Sequence, residues 1–536
     1  MPFKNKISAH AFTPAAKRWG ALSVCLALLM PVHPVQSQTS YNRLPNLGDG
    51  AEVPLGVERR LGESIAREIY RDPDYLDDPV LGDYVQSLWQ TLLASARQRG
   101  ELTPELEQQF AWEVALIRDR SINAFALPGG YLGVHLGLIA AVNSPDELAS
   151  VLAHELSHVT QRHIARMIGQ QGRQGPMVMG AMILGMLAAS RTANASSFSA
   201  ANAVMVGGQA AAIQSQLNFS RDMEREADRV GYGVMTEAGY EPQGFVTMFE
   251  KLQQAARLND NGSFPYLRSH PMTTERISDA QARQQLLPAR GAIATSSMHA
   301  MMSARAQVLA NPGVDVLRTI AAQASASTLT AVGKAKQAGV LYGAVMAEMK
   351  QRNFAEARQS LSRLQALGGL DVNAQRVVRL LAAELALAVG DATQAVAVLE
   401  AKTSVMATND RATRILLAQS RVATRKPGQG KVAANDLSLW LSQHPRDATA
   451  WLVQASAYEL QGDALRAIRA QAEARAMELD YGAAVDRFKA AQLLAHKMAN
   501  EGKLDRVGHI EASIIDARLR ELDRLRREQA LERRIN

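Results

Sequence analysis

Apolar residues recur at helical spacing along much of this 536-residue chain. After an irregular lead-in over residues 38–59, helical periodicity covers residues 61–99 with breaks. Residues 113–118 alternate as in a strand, and residues 122–132 predict a strand, a Pro-Gly-Gly turn and the start of a second strand. The pattern therefore predicts a mainly α protein whose first domain, residues 60–290, is an α+β domain with a small sheet.

The next helix has a clear start. Ser144 is suited to the N-cap, a proline follows at the first helical position, and Glu147 completes a capping box three residues after Ser144. The apolar periodicity then predicts a helix through His158 to about Met167. Inside this apolar run, the stretch VLAHELSHVTQRH (151–163) carries three histidines and a glutamate, which a plain core helix does not need.

From about residue 335 the pattern changes to helix pairs with an internal repeat. Small residues recur where two helices of a pair would touch, at steps of 34, 38 and 38 residues: Ala467, Ala433, Ala395 and Ala357. The last unit completes the offsets of the tetratricopeptide signature with Trp451, Tyr458, Gly462 and Ala474. About four degenerate units predict a tetratricopeptide-type α-solenoid over residues 335–536, after a helical connector over 291–334. A plain helical bundle is the alternative.

The first 37 residues have the pattern of a secretory signal peptide, with basic residues, a short apolar run over 19–30 and small residues before a cleavage position near Gln38. An uncleaved anchor is the alternative, although the apolar run is shorter than the ~20 residues of a spanning helix. The single cysteine, Cys25, lies in this segment, so the mature chain would lack disulfides and thiolate ligands. Without the four basic residues of the segment, the net charge of +7 falls to +3 (7 − 4), which gives no argument for nucleic-acid binding.

Residues 172–208 interrupt the helical pattern with a segment rich in glycine, methionine and alanine. Its apolar pieces are too short to span a bilayer. Two interpretations stay open: an active-site lid or a loop that touches the membrane, and a buried helical hairpin. Peripheral membrane contact is therefore one of the partner hypotheses.

The predicted chemistry of the helix that follows Ser144 comes from the spacing of its polar residues. Positions i and i+4 differ by about 40° of helical rotation, so His154 and His158 project from one face and can bind one Zn²⁺. Glu155 follows the first ligand and is placed to act as a general base, the H-E-x-x-H arrangement. His163 would lie about 140° round an unbroken helix and is predicted to be structural. The alternative for the motif is a solvated polar helix face, but its neighbours are apolar.

A third ligand is predicted from the acidic segment 220–228. Glu224 and Asp228 are again i and i+4, so we predict that Glu224 binds zinc and that Asp228 accepts a hydrogen bond from a ligand histidine. Glu226 is the less favoured third ligand. His270 has three open roles: it could orient substrate, stabilise the oxyanion, or fill the open metal position at rest. A surface histidine before a turn proline is the plain alternative.

At these residues the chain resembles a family of zinc metallopeptidases that includes the CAAX prenyl proteases. The resemblance is carried by HELSH at 154–158, E-x-x-A-D at 224–228, NAFALPGG at 123–130 and HPMTTER at 270–276. It implies one Zn²⁺ held by His154, His158 and Glu224, with Glu155 as base and Asp228 in support. It also implies that His270 and Arg276 act near the transition state. Peptide substrate would lie along an edge strand formed by Asn123, Ala124, Phe125 and Ala126.

A signal peptide before such a domain and helical repeats behind it resemble the branch of the family that works in the periplasm. That resemblance implies a zinc endopeptidase acting on unfolded or misassembled proteins, with the outer-membrane β-barrel assembly machinery as partner. Two other functions stay open: a chaperone or adaptor with a latent protease site, and a peptidase for membrane-embedded substrates. The absence of a predicted spanning helix argues against the second.

Overall fold

The computed structural model describes residues 53–170, 221–257, 265–285, 296–401 and 410–535. All of them belong to one compact unit, Gly50–Asn536. The predicted signal peptide and the segment 172–208 lie outside the described residues. Within the described ranges, no helix is both long enough and apolar enough to cross a membrane.

The small sheet has four strands in the order β1-β2-β4-β3. Its strands are β1 (Tyr75–Leu76), β2 (Glu113–Ile117), β3 (Ala124–Leu127) and β4 (Tyr131–His135). β4 runs parallel to β2 and antiparallel to β3, so β3 is an edge strand. The predicted strand, Pro-Gly-Gly turn and second strand are confirmed. The turn is a single 3-10 turn at Pro128–Gly130, in which Gly129 has a positive φ of 71° that favours glycine.

Ten helices surround this sheet in the described part of the first half: α1 (Leu55–Tyr70), α2 (Pro79–Gln98), α3 (Pro104–Gln109), α4 (Leu136–Ala141), α5 (Pro145–Thr160), α6 (His163–Gln170), α7 (Arg221–Glu237), α8 (Gln243–Arg257), α9 (Tyr266–Ser269) and α10 (Thr274–Gln285). α1 begins before the predicted Leu61, because its first turn already packs Leu55 and Val57 against buried clusters.

Helix α5 carries the H-E-x-x-H motif and begins where the capping box predicts. The Ser144 hydroxyl accepts a hydrogen bond from the Glu147 N–H at 3.1 Å. Glu147 accepts from the Asn143 N–H at 2.7 Å, one residue earlier than a standard capping box. The predicted end near Met167 is wrong: α5 ends at Thr160, Arg162 adopts a left-handed conformation with φ 52°, and α6 starts at His163.

The second half is helical throughout its described residues. Its helices are α11 (Ser297–Leu309), α12 (Val314–Gln323), α13 (Lys334–Lys350), α14 (Phe354–Gln365), α15 (Val372–Val389), α16 (Ala392–Glu400), α17 (Arg411–Ala423), α18 (Pro427–Gln443), α19 (Ala448–Leu460), α20 (Ala464–Met477), α21 (Tyr481–Asn500) and α22 (Arg506–Ile535). From α13 onward each helix packs on the next, which forms a solenoid of helix pairs.

The alanines predicted from the repeat lie in the second helix of successive pairs. Ala357, Ala395 and Ala433 are fully buried, and Ala467 is 2% exposed. Small side chains at these positions let the paired helices approach closely. One apolar cluster runs from α2 through α5 to α13 and α15, and it contains Trp89, Leu148, Tyr342 and Leu381. The solenoid and the motif-bearing helices therefore share a core.

Candidate metal centre

Two buried helices bring the predicted site residues together. On α5, His154, Glu155 and His158 are at most 1% exposed. α7 packs closely against this helix. A Cβ added at Gly231 of α7 would lie only 3.0 Å from the backbone of Ala153, so the glycine permits this close approach. This close approach places Glu224 of α7 opposite the motif, and Glu224 is 2% exposed.

Four side chains converge with one donor atom each. Those atoms, from His154, His158, Glu224 and His270, all lie within 4.8 Å of one another. His154 Nε2 lies 2.9 Å from His158 Nε2 and 3.3 Å from His270 Nδ1. His270 Nδ1 lies 3.0 Å from Glu224 Oε1. The set of two histidines, a glutamate and a third histidine is therefore assembled in the folded chain.

The residues fit a bound metal ion. Imidazole nitrogens and a carboxylate oxygen are zinc donors, and here they face one another in a site closed to solvent. A cation between these lone pairs would offset the cost of burying them, since burial of unpaired polar groups is costly. The Glu155 Oε1 atom is also buried without a hydrogen-bond partner among the described residues. The donor set accordingly suits a divalent ion with a reacting group beside it.

The local charges put two of the three predicted ligands in their metal-binding form. Burial opposes a charge on His154, but the carboxylates of Asp228 and Glu224 outweigh it and raise the pKa of His154 to about 9. Burial and the neighbouring charge of His154 lower the pKa of His158 well below its usual range. Burial would raise the pKa of Glu224, yet His270 and His154 hold it well below its usual range. A neutral imidazole and an ionised carboxylate are the forms that bind metals, so His158 and Glu224 are already in these forms, whereas a metal at His154 has to displace a proton.

Glu155 lies between this cluster and the edge strand. Its Oε2 atom accepts a hydrogen bond from the Ala126 N–H at 2.9 Å, and its Oε1 atom lies 3.4 Å from His270 Nε2. The Ala126 N–H therefore points away from β4, toward Glu155. Of the predicted edge-strand residues, Ala124, Phe125 and Ala126 are in β3, and Asn123 directly precedes it.

Asp228 and Arg276 form a layer behind the cluster. Asp228 Oδ1 lies 3.0 Å from His154 Nδ1, within hydrogen-bond distance. Arg276 donates from Nε and Nη2 to Asp228 at 2.7 and 2.8 Å, and from Nη1 to the Pro271 carbonyl at 2.9 Å. Its Nη1 atom also lies 2.8 Å from Glu224 Oε2. The structure thus places Arg276 against the carboxylates that support the site.

Sequence reasoning missed two groups of residues. Tyr266 is buried in α9 and stacks on the His270 ring, with centroids 4.6 Å apart. His163 contacts His158, and Glu226, which does not join the four-residue cluster, contacts His163. The turn that brings His163 back to His158 contains no glycine or proline, so the sequence gives no local signal of this turn. The spacing of Tyr266, four residues before His270, was a signal that sequence analysis could have used.

The fold and the site define a metallopeptidase. The chain matches Peptidase family M48 over residues 84–284. The β-barrel assembly-enhancing protease of Escherichia coli K12 is 29% identical over 495 residues, which cover 91% of this chain and 92% of the relative. A Vibrio cholerae protein assigned to the same group is 32% identical over 344 residues, 64% of this chain and 67% of that protein.

A more distant relative is the mitochondrial metalloendopeptidase OMA1 of Schizosaccharomyces pombe. It is 29% identical over 230 residues, which cover 42% of this chain and 60% of the relative. The chain belongs to peptidase family M48 and, within it, to the group of the β-barrel assembly-enhancing proteases.

Proposed function

We propose that the protein is a zinc-dependent endopeptidase with His154, His158 and Glu224 as ligands of one zinc ion. The observation that carries this proposal is the convergence of buried donor atoms within 4.8 Å, with Glu155 beside them. In this assignment Asp228 holds His154 in place. Two histidines and a carboxylate are a ligand set of catalytic zinc, which keeps a further position for chemistry.

Glu155 is the proposed general base. When bound, zinc supplies a Lewis acid that polarises the scissile carbonyl. Glu155 accepts the proton of the attacking water through one carboxylate oxygen and returns it to the leaving nitrogen. The Ala126 N–H holds the other oxygen, Oε2, and so fixes the carboxylate during both transfers. The Glu155 side chain is fully buried, which excludes bulk water from the proton path.

Substrate is proposed to bind as an added strand along β3. The free edge of this strand runs past Glu155, since the Ala126 N–H already points there. Main-chain groups of this edge other than the Ala126 N–H, which is bonded to Glu155, would hold an extended peptide along Asn123, Ala124, Phe125 and Ala126. Binding by strand addition depends on the peptide backbone more than on the side chains, which suits unfolded or misassembled proteins of many sequences.

His270 is proposed to keep the protease latent. Its Nδ1 atom lies with the ligand atoms of the other three residues, where it competes for the open metal position. Tyr266 stacks on the same ring and stabilises this arrangement. Arg276, which the resemblance placed near the transition state, is proposed to act as a positioning residue through Asp228 and Glu224.

The wider role is proposed from the relatives. They are named for enhancing β-barrel assembly, so we propose that this protease works in the periplasm on outer-membrane β-barrel proteins and their assembly machinery. The helix pairs from α13 onward would act as a tetratricopeptide-type docking surface for these partners. Peripheral contact with the membrane remains part of this proposal through residues 172–208.

A chaperone or adaptor with a latent protease site is the second candidate function. The position of His270 among the ligand atoms favours it. Replacement of the chromosomal gene by one encoding Glu155→Gln separates the two. Loss of cellular function in that strain, at normal protein abundance, supports the protease, and full function supports the adaptor.

Total metal analysis of the purified mature protein tests the ligand assignment. We expect about one equivalent of zinc, lost in His154→Ala and in Glu224→Ala, because each removes a ligand atom. Asp222→Ala, on the same helix as Glu224 and at a side chain that is 88% exposed, should retain zinc. Full zinc in both ligand variants, or loss in Glu226→Ala with retention in Glu224→Ala, would contradict the assignment.

A further inference from the structure

His158 has a second neighbour that the proposed chemistry does not use. Its Nδ1 atom lies 2.8 Å from Nδ1 of His163, and the two rings meet edge to face with centroids 4.8 Å apart. His163 is fully buried. In an unbroken helix, residues five apart would be separated by about 140° of rotation. The contact exists because α5 ends at Thr160 and α6 begins at His163.

The break between α5 and α6 is stabilised by a contact with another helix, α1. Arg162 adopts φ 52°, a left-handed conformation that is costly for a residue with a side chain. Its Nε atom donates to Glu58 of α1 at 3.1 Å, which anchors the turn. A costly conformation held by an anchored side chain persists only where the surrounding structure enforces it. Here its consequence is the return of His163 to His158.

The position of the ring proton on His158 determines the position of the ring proton on His163. If His158 presents the Nε2 lone pair to a metal, its ring proton is on Nδ1, and that atom donates to His163 Nδ1. His163 then carries its own proton on Nε2. That nitrogen lies 3.1 Å from Glu226 Oε2, an acceptor. Arg166 donates to the same oxygen at 2.6 Å. Every N–H donor in this series of hydrogen bonds, from His158 to Glu226, therefore meets an acceptor.

The two histidine ligands are therefore supported differently. His154 has a carboxylate directly at Nδ1, that of Asp228 at 3.0 Å. His158 has a neutral imidazole at the same place, and the carboxylate of Glu226 acts one residue further out. His163 is not among the donor atoms that converge on the site. Its position is behind the ligand, on the side opposite the metal.

We propose that His163 and Glu226 are positioning residues that fix the tautomer and orientation of His158. This inference rests on the proposed zinc site, and it extends that site by two residues that contact neither metal nor substrate. The relay selects Nε2 of His158 as the ligand atom, and the Arg166–Glu226 pair keeps His163 from rotating. Partners of this kind typically contribute 10–100-fold in metal affinity.

The test measures zinc affinity of the full mature chain by competition with a chromophoric chelator. Glu226→Ala and His163→Leu should bind zinc about 10–100-fold more weakly than wild type. His163→Asn should recover most of the affinity, because its amide oxygen can stand where Nδ1 accepts from His158. Asp222→Ala is the matched control: the same helix and the same charge change, at a side chain that is 88% exposed.

Two further readouts exclude a merely structural role. The melting temperature of the metal-free proteins reports the packing cost of each variant, and ¹⁵N NMR of the ring nitrogens reports the tautomer of His158. Affinity equal to wild type in His163→Leu, or equally weak binding by His163→Asn and His163→Leu, would overturn the proposal. So would an equal loss in Asp222→Ala. If wild type itself binds no zinc, the proposed function fails instead, which is a separate outcome.

Discussion

At the scale of single residues, Glu155 has two oxygens in different environments. The Ala126 N–H holds Oε2, while Oε1 is buried beside His270 without a hydrogen-bond partner in the described part of the chain. One oxygen thus positions the side chain, and the other is available for proton transfer. Neither contact makes Glu155 a metal ligand, so the proposed base and the proposed ligands can be tested by separate mutations.

Glu155→Gln should retain zinc and lose proteolysis. The amide keeps the size of the side chain and an oxygen that can accept from Ala126, but it cannot take a proton. We expect casein cleavage to fall by about 10²–10⁴-fold at unchanged zinc content, the usual cost of removing a general base. Cleavage at the wild-type rate by the zinc-loaded variant would contradict the role of Glu155.

His270→Ala distinguishes two of the three roles left open by the sequence, the latent plug and the oxyanion donor, because they predict changes in rate of opposite sign. A latent plug that occupies nine sites in ten lowers the competent fraction to a tenth, so its removal should raise casein cleavage about tenfold. Loss of an oxyanion donor would lower the rate by about 10²–10³-fold. The place of His270 Nδ1 among the ligand atoms favours the rise.

The comparison requires equal zinc content in both proteins, and His509→Ala, at an exposed histidine of α22, is the control. A fall in the rate would exclude the plug, and an unchanged rate would leave His270 without a catalytic or regulatory role.

At this scale the sequence was informative where residues lie close along one helix. The i, i+4 spacing predicted that His154 and His158 share a face, and it favoured Glu224 over Glu226 as the residue that faces them. The structure brings Glu224 to the histidines and Glu226 to His163. The relay could not be predicted, because it depends on a left-handed Arg162 where the sequence has neither glycine nor asparagine.

At the scale of elements, the start of α5 was predicted better than its end. Ser144 caps α5 through a local hydrogen bond that sequence spacing specifies. The end of α5 depends on Glu58, which is 104 residues away from its partner Arg162. The order of the small sheet likewise depends on the direct pairing of β2 with β4, although β3 lies between them in the sequence. Such non-local contacts leave no periodic signal.

Gly62→Ala should destabilise the first domain. Gly62 lies on α1 where the helix crosses the turn after β3, and an added Cβ would overlap the carbonyl oxygen of Pro128. The backbone must shift to remove that overlap, so we expect a loss of about 1–3 kcal/mol, the usual cost of overpacking. Thermal unfolding of the zinc-loaded proteins measures the effect.

Gly56→Ala, in the same helix, is the matched control. Its added Cβ would meet only Arg60 Nη1 at 3.6 Å, so the gain in helix propensity should leave the protein as stable as wild type or slightly more stable. Equal unfolding temperatures for both variants would show that α1 can move freely relative to the turn.

At the scale of the whole molecule, arginine bridges tie the segment around β1 to the solenoid. Arg305 of α11 lies 2.7 Å from Asp78 and 2.6 Å from Glu384 of α15. Arg411 of α17 lies 2.6 Å from Asp77 and 2.8 Å from Asp447. These partners are as much as 334 residues apart in sequence. Sequence analysis could therefore predict the two helical halves, but not that their surfaces meet.

The same interface contains a carboxylate whose charge opposes folding. Asp83 of α2 accepts a hydrogen bond from the Ala412 N–H at 3.0 Å, and Arg376 Nη1 lies 3.8 Å away. Burial and the nearby charge of Asp410 outweigh these contacts and raise the pKa of Asp83 to about 7. Because this pKa is higher in the folded protein than in the unfolded chain, the folded state binds the extra proton below pH 7.

Asp83→Asn should therefore change the pH dependence of stability. The contribution of Asp83 to the free energy of unfolding falls as pH rises from about 4 to 7, and asparagine, which resembles the protonated acid, removes that fall. The variant should match wild type near pH 4 and exceed it at pH 8 by on the order of 1 kcal/mol or more. Thermal unfolding at both pH values measures this, with Asp315→Asn, at a 97% exposed side chain, as control. A variant less stable than wild type by the same margin at both pH values would mean that the Asp83 carboxylate is ionised and favourably paired in the folded protein.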